Sequence, residues 1–400
     1  MSFAETNGIL REEQHGFRSK RSCESQLLGL VDELSDDLEK GKESHALIMD
    51  FSKAFDRVCH ELLLHKLHHY GIVGTMHAWI KGFLSDRQQA VVVDGATSSL
   101  VPVESGVPQG SVIGPALFLL YINDLPEGLT STSRLFADDT LCHRIISSAS
   151  DKQALQEDLN RLAEWEQKWL MSFHPDKCQT LPVSRKRNPT PCSYQLHGHT
   201  LSPVNEAKYL GVTLSHDLRW DIHILNITNK ANQMLGFLRR NLRVGSQEVK
   251  QRAYFALIRS PLEFASPVWD PYTCKDVDRL EAVQRRAARW VVNRHRKTSS
   301  VDAMLEHLQW PTLQDRRRRA RLITMYKFSN GLLSINTRNT PTPNPTAKST
   351  RLLHDAAYQL PLCRTTYRQK SFFPRTIVDW NALPGEVALS PSLEAFKSRI

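Results

Sequence analysis

Two aspartates stand side by side in the run LFADDT, Asp138 and Asp139, with apolar residues close on both sides. Carboxylates brought partly out of water repel each other and lose hydration. A divalent cation offsets both effects, and a hard ion such as magnesium prefers oxygen ligands. Asp50 ends another apolar run, ALIMD, and would complete a cluster of three acids. Two cations about 3.5–4 Å apart in such a cluster activate a hydroxyl and stabilise a leaving pyrophosphate. Phosphoryl transfer asks for little beyond that positioning and charge. Each piece alone has a plainer reading. An Asp-Asp pair is usually a solvated turn, and a lone Asp a helix cap or a surface acid.

Positioning these acids takes strands, and the patterning supplies them. His45–Met49 reads as a buried strand leading into Asp50, and short apolar runs on both sides of Asp138–Asp139 read as two strands with the acids at their junction. Helical spacing marks Cys23–Lys40, where Leu27, Leu28, Val31, Leu34 and Leu38 share a face and charged residues fill the other. Further helices are expected over Asp56–Tyr70, Thr75–Leu84, Val112–Ile122 and Ser150–Leu170. Arg87–Val103 alternates around Asp94–Gly95, a strong hairpin signal. Short strands follow between Cys178 and Leu214, and from Asn226 onward the chain is mainly helical and increasingly basic. Its arginines gather at Arg285, Arg286, Arg289, Arg294 and Arg296 with Lys297, and again at Arg316–Arg319 with Arg321. Asn339–Ser349 has linker composition. Strands and helices without regular alternation predict an α+β core with a helical appendage.

Composition sets outer bounds. The 400 residues are 40% hydrophobic and 24% charged, the balance of a globular protein with room for two or three domains. No apolar run reaches the roughly 20 residues needed to span a bilayer, and the start lacks signal-peptide character. The seven cysteines (23, 59, 142, 178, 192, 274 and 363) are dispersed, with no CxxC pair, as in reduced thiols of the cytosol or nucleus. An intracellular protein, nuclear or cytoplasmic and not secreted, is expected. The net charge of +10 is compatible with a polyanion partner without requiring one.

Around the acids, a series of blocks resembles, in order, those of non-LTR (LINE-type, jockey-like) retrotransposon reverse transcriptases. QHGFRSKRS (14–22) resembles their fingers block, LIMDFSKAFDRV (47–58) the first palm motif, SGVPQGSVIGPALFLLYINDL (105–125) the second and LFADDT (135–140) the catalytic turn. SFHPDKCQTL (172–181) and YLGVTL (209–214) resemble the fourth palm block and the primer grip, and two later stretches, 280–291 and 371–384, resemble the family's downstream region. The resemblance implies an α+β right-hand polymerase fold. It assigns 1–43 to partial fingers, 44–184 to the palm, 185–214 to primer-grip strands, 215–330 to a helical thumb and basic region, and 331–400 to a linker and C-terminal region.

It further implies an RNA-directed DNA polymerase that uses two magnesium ions, with manganese as an alternative, on an RNA template, a DNA primer and dNTPs, away from any membrane. Asp50, Asp138 and Asp139 would be catalytic and hold metal together with the Phe51 carbonyl. Lys177 would protonate the leaving pyrophosphate or neutralise its charge. Ser52, Lys53, Ala54 and Phe55 would line the nucleotide site, the Phe55 ring leaving no room for a 2′-hydroxyl. Gln109 and Gly110 would close over the nucleotide, the glycine permitting close backbone approach. Leu210 and Gly211 would shape the primer grip. Arg18, Arg21, Arg285, Arg286 and Arg289 are the candidate nucleic-acid contacts, which would steepen the salt dependence of binding.

Each role has a bland counterpart: a core aromatic for Phe55, an ordinary turn for SGVPQGS, a surface lysine for Lys177, and solvated helix faces for the arginines. His174 stands where many relatives carry Asn. The family's Arg-containing NYRPI-like fingers segment, its endonuclease, a terminal zinc knuckle and an RNase H acid set have no counterpart, so an N-terminally truncated chain of uncertain activity is expected. A catalytically inactive nucleic-acid-binding remnant therefore stays open beside the polymerase. A two-metal nuclease ranks behind both, since it rarely needs a sugar-sized aromatic or a closing glutamine loop.

Overall fold

The strand Ser44–Asp50 is the middle of a five-stranded sheet. Across the sheet the order is Ser202–Pro203, Gln179–Val183, Ser44–Asp50, Asp139–Ile145 and Thr132–Phe136. Neighbours run antiparallel except the first pair, which is parallel. A middle strand covered on both faces reads as a continuous apolar run rather than as an alternation, which is why ALIM precedes the acid. The computed structural model describes residues 2–242, 245–293, 300–344 and 354–400. Arg294, Arg296 and Lys297 of the first basic cluster and residues 345–349 of the expected linker lie outside the described residues.

The chain divides into two units, Met1–Cys23 with Lys42–Ala207, and Glu24–Gly41 with Lys208–Ile400. In the first, Leu47 and Met49 belong to one core with Leu63 and Leu67 of the helix His60–His69, Phe118 of Gly114–Ile122, and Leu155, Leu159 and Leu162 of Ala149–Trp169. The last helix starts at a capping box: Ser148 Oγ accepts from Asp151 N–H, and the Asp151 carboxylate accepts from Ser148 N–H. Its buried Asp158 accepts from the backbone N–H groups of Thr130 (2.9 Å) and Ser131 (2.8 Å), pinning the entry to the strand Thr132–Phe136. Where one helix was expected over 56–70 the chain makes a short 3-10 turn, Ala54–Asp56, and then the helix His60–His69. Between them Cys59 adopts extended backbone and bridges to Ser105, which interrupts the helix. The hairpin at Asp94–Gly95 is present, with both turn residues at positive φ (51° and 83°) as a type I′ turn requires.

The second unit is mainly helical, and it contains the helix Cys23–Glu39 from Glu24 onward. The polar face of this helix is not solvated: Asp32, Glu33 and Asp37 are buried. Arg368 Nη1 donates to Asp32 (2.6 Å) and to Ser35 Oγ (2.8 Å), Arg338 N–H to Glu33 (3.0 Å), and the Arg338 guanidinium to Asp37 (3.1 Å). The buried acids of this helix are thus satisfied by arginines from the far end of the chain, Arg368 buried and Arg338 exposed.

The same logic applies to the second arginine cluster. On the helix Leu313–Ser329, Arg317 and Arg321 are buried and donate to the two oxygens of the buried Asp270 at 2.8 and 2.9 Å, with Arg375 at 3.1 Å from it. Arg316 donates to Glu263, and Arg318 pairs with Asp379. Arg317 and Arg321 hold the unit together and are not available to phosphate, whereas Arg318 and Arg319 are exposed. Breaking a buried ion pair on one side strands the remaining charge. Asp270→Ala is therefore expected to destabilise the protein by about 3–5 kcal/mol, with Asp270→Asn milder because it keeps an acceptor. Urea denaturation followed by circular dichroism reads the difference.

Candidate active site

Asp50 ends its strand and Asp139 begins the neighbouring one, and their Cα atoms are directly opposed in the antiparallel register. Opposed residues share a face, with Cβ atoms roughly 4.5–5.5 Å apart. The period of two puts both acids on the face away from Leu47 and Met49. Asp138 occupies the two-residue turn between the paired Phe136 and Asp139. Its partner in that turn, Ala137, has φ 53°, a conformation L-residues adopt at a cost of about 1–3 kcal/mol.

A clamp maintains the turn. Gln14 is buried, and its Oε1 accepts from the backbone N–H groups of Ala137 (2.9 Å) and Gly16 (2.7 Å). On one side His15 N–H donates to the Leu135 carbonyl (2.8 Å), and Leu135 N–H donates to the Glu13 carbonyl (2.9 Å). A Cβ on Gly16 would sit 2.4 Å from the Ala137 nitrogen, so the approach requires glycine. Gln14 and Gly16 lie in the block QHGFRSKRS, where neither carries a mark of this role. The only local signal was a polar amide two residues before a glycine.

Burial, followed by the charge of Asp50, raises Asp138 above the usual aspartate range. Asp139 is pushed up to about 6 by burial first, then by Asp138 and Asp50. Lys177 Nζ, exposed, sits 2.9 Å from Asp50 Oδ2, and this hydrogen bond and charge raise the lysine. The donors are all hard oxygens, which fits magnesium. The Phe51 carbonyl adds one more: His174 N–H bonds to the Asp50 carbonyl and Ser52 N–H to the Ser172 carbonyl, making Phe51–Phe173 a non-hydrogen-bonded pair whose carbonyl stays out of the ladder. Among the described residues no three His, Cys, Asp or Glu side chains stand in a chelating array. Asp50 is turned onto Lys177, so a bound cation has to compete with that ammonium.

The remaining candidates fall into three groups. Beside the acids, Ser52, Lys53 and Ala54 lead into Phe55, whose ring is half-buried and stacked on Phe118 at 4.3 Å. Gln109 Nε2 donates to Asp56 Oδ1 at 3.2 Å, and Val107 N–H donates to the Phe55 carbonyl at 2.8 Å. Gly110 has φ 78°. A Cβ on Gly106 would lie 2.8 Å from Asp56 Cα, so this loop is packed onto the Phe55 turn. Asp56, which orients Gln109, carried no assigned role in the sequence.

Arg18 and Arg21 do not meet the expectation of free phosphate contacts. Arg18 is bidentate to Glu5 (3.0 and 2.8 Å) and donates to the Arg11 carbonyl, while Arg21 pairs with Glu12 and donates to its carbonyl. Both side chains are largely covered, and they brace the segment that clamps the turn.

Leu210 and Gly211, Arg285, Arg286 and Arg289 belong to the second unit. Leu210 and Gly211 both have positive φ (45° and 85°), a type I′ turn between Glu206–Tyr209 and Val212–Ser215. A Cβ on Gly211 would meet the Phe264 ring at 2.8 Å. On the helix Cys274–Val291, Arg286 is exposed and donates to Asn232, whereas Arg285 and Arg289 are half-buried.

A family model described as reverse transcriptase (RNA-dependent DNA polymerase) matches residues 4–214. The RNA-directed DNA polymerase from mobile element jockey of Drosophila funebris is 31% identical over 294 residues, covering 69% of this chain and 31% of its own. The probable RNA-directed DNA polymerase from transposon X-element of Drosophila melanogaster is 29% identical over 302 residues, covering 73% and 33%. The chain thus spans about a third of the length of these relatives. Among solved structures, apo telomerase from Candida tropicalis aligns with TM-score 0.43 at 10% identity, covering 73% of this chain and 48% of that one.

The raised carboxyls have a measurable consequence without metal. Asp139 titrates near 6 when folded against 3.8 ordinarily, so the folded state binds the extra proton. Stability then falls as pH rises from about 4 to about 6 and stays lower above. Asp139→Asn removes that penalty. In EDTA it is expected to stabilise the protein by about 1–2 kcal/mol at pH 7, after allowance for partial exposure, and by little at pH 4. Denaturation curves at the two pH values read the effect, and equal stabilities at pH 7 would contradict it.

Proposed function

The chain belongs to the reverse transcriptase family, of the kind encoded by non-LTR retrotransposons, and from that premise we propose that it is an intracellular RNA-directed DNA polymerase joining dNTPs to a primer 3′-hydroxyl on an RNA template. The observation that carries this reading is the register of Asp50 against Asp139, with Asp138 in the turn between the strands. On this reading the palm is 44–184, preceded by partial fingers at 1–43 and followed by primer-grip strands at 185–214, a helical thumb and basic region at 215–330, and the C-terminal region at 331–400.

Two divalent cations, magnesium or in its place manganese, would when bound activate the primer hydroxyl and neutralise charge on the leaving pyrophosphate. The protein residues do the rest. Asp50, Asp138, Asp139 and the Phe51 carbonyl supply the oxygens, and the sheet register and Gln14 fix where those oxygens stand. Lys177, released from Asp50, would neutralise or protonate the pyrophosphate. Phe55, backed by Phe118, blocks space for a 2′-hydroxyl, so deoxynucleotides are preferred. Gln109, Gly110 and the backbone from Ser52 to Ala54 orient the triphosphate and sugar. Leu210 and Gly211 hold the primer end, and exposed Arg286 with Arg285 and Arg289 meets nucleic-acid phosphate.

Primer extension on poly(rA)/oligo(dT) with magnesium tests the reading. The wild-type chain is expected to incorporate dTTP, and Asp138→Ala to lower incorporation roughly a thousandfold, the scale of several kcal/mol of lost charge stabilisation. Salt-sensitive RNA binding should survive that substitution. Synthesis that persists in Asp138→Ala rejects the mechanism. RNA binding with no synthesis by the wild type identifies the inactive remnant instead.

A further inference from the structure

The segment Gln14–Phe17 meets the catalytic turn at Ala137 and the Phe55 ring at once. Gln14 and Gly16 are fastened to the catalytic turn, and Arg18 and Arg21 are committed to Glu5, Glu12 and nearby carbonyls. Phe17, between these fixed points, has φ 53° and is 55% exposed. Its ring meets the Phe55 ring edge to face, with centroids 6.5 Å apart and an interplanar angle of 84°. Phe55 is therefore bounded by Phe118, stacked at 4.3 Å, and by Phe17. An exposed phenyl held in a left-handed conformation forfeits apolar burial and adds backbone strain. A braced strap that bears both penalties beside the catalytic acids suits a ring whose remaining surface is covered by substrate.

We propose that Phe17 is a specificity-determining residue, forming with Phe55 a two-ring wall against the sugar of the incoming nucleotide and holding the Phe55 ring in its blocking position. Gln14 is the positioning residue that anchors this wall to the catalytic turn. The proposal rests on the polymerase reading above. It gives the QHGFR block a place in the nucleotide pocket rather than on template phosphate. Losing Phe17 would let Phe55 tilt and admit a 2′-hydroxyl, a change of about tenfold for a pocket altered by small apolar groups.

The test uses the full chain with dideoxy-terminated oligo(dT) on poly(rA) and magnesium. It measures the dTTP or UTP concentration that half-maximally stabilises the complex against heparin, so no bond formation is required. Phe17→Ala is expected to shrink the preference for dTTP over UTP about tenfold, and Phe17→Leu to restore most of it. Because the ring is largely exposed, neither variant should alter the melting temperature. An unchanged dTTP/UTP ratio in Phe17→Ala overturns the proposal while leaving the polymerase reading intact, provided Asp138→Ala abolishes extension. A wild-type chain that forms no dTTP-dependent complex overturns both.

Discussion

Like charges must be kept together. Asp138 and Asp139 sit beside Asp50 where burial and like charge both disfavour their ionisation, and their raised carboxyls register that tension. Only a rigid frame can hold such a group. Here the frame is the antiparallel register of the two middle strands, the left-handed turn at Ala137 and the Gln14 amide that ties the turn down. Lys177 relieves part of the repulsion by pairing with Asp50. The neighbouring architecture serves this frame, from Asp158 at the entry of the hairpin to the core helices behind Leu47 and Met49.

The acids and their strands were legible because a buried strand announces itself as an apolar run and a charge at its end is conspicuous. The helix Ala149–Trp169 was equally plain, its leucines and tryptophans spaced for one face. What could not be read were partnerships. Glu5 and Glu12 carry no mark that they will engage Arg18 and Arg21, and Gln14 is only a glutamine until Ala137 lies beside it. The break at Cys59 also depends on a bridge to Ser105, distant in sequence. Periodicity predicts faces, and it is silent about what covers them.

Charge illustrates this most clearly. A surplus of arginine invites the inference of a polyanion-binding surface, yet Arg317, Arg321, Arg368 and Arg375 are spent on Asp270 and Asp32 inside the second unit. The 52 lysines and arginines of the sequence overstate how many cationic side chains are free. Guanidinium groups suit this internal use because their planar forks satisfy several acceptors at once.

The union of Asp32 with Arg368 joins residues 336 positions apart. A ribosome adding about 5–20 residues per second would leave the helix Cys23–Glu39 waiting roughly 20 to 60 seconds for its arginines. Throughout that interval its acids stay without these partners. The tail of the chain thus works as a closing clasp, and the long loop it shuts places this part of the molecule among slow-maturing topologies.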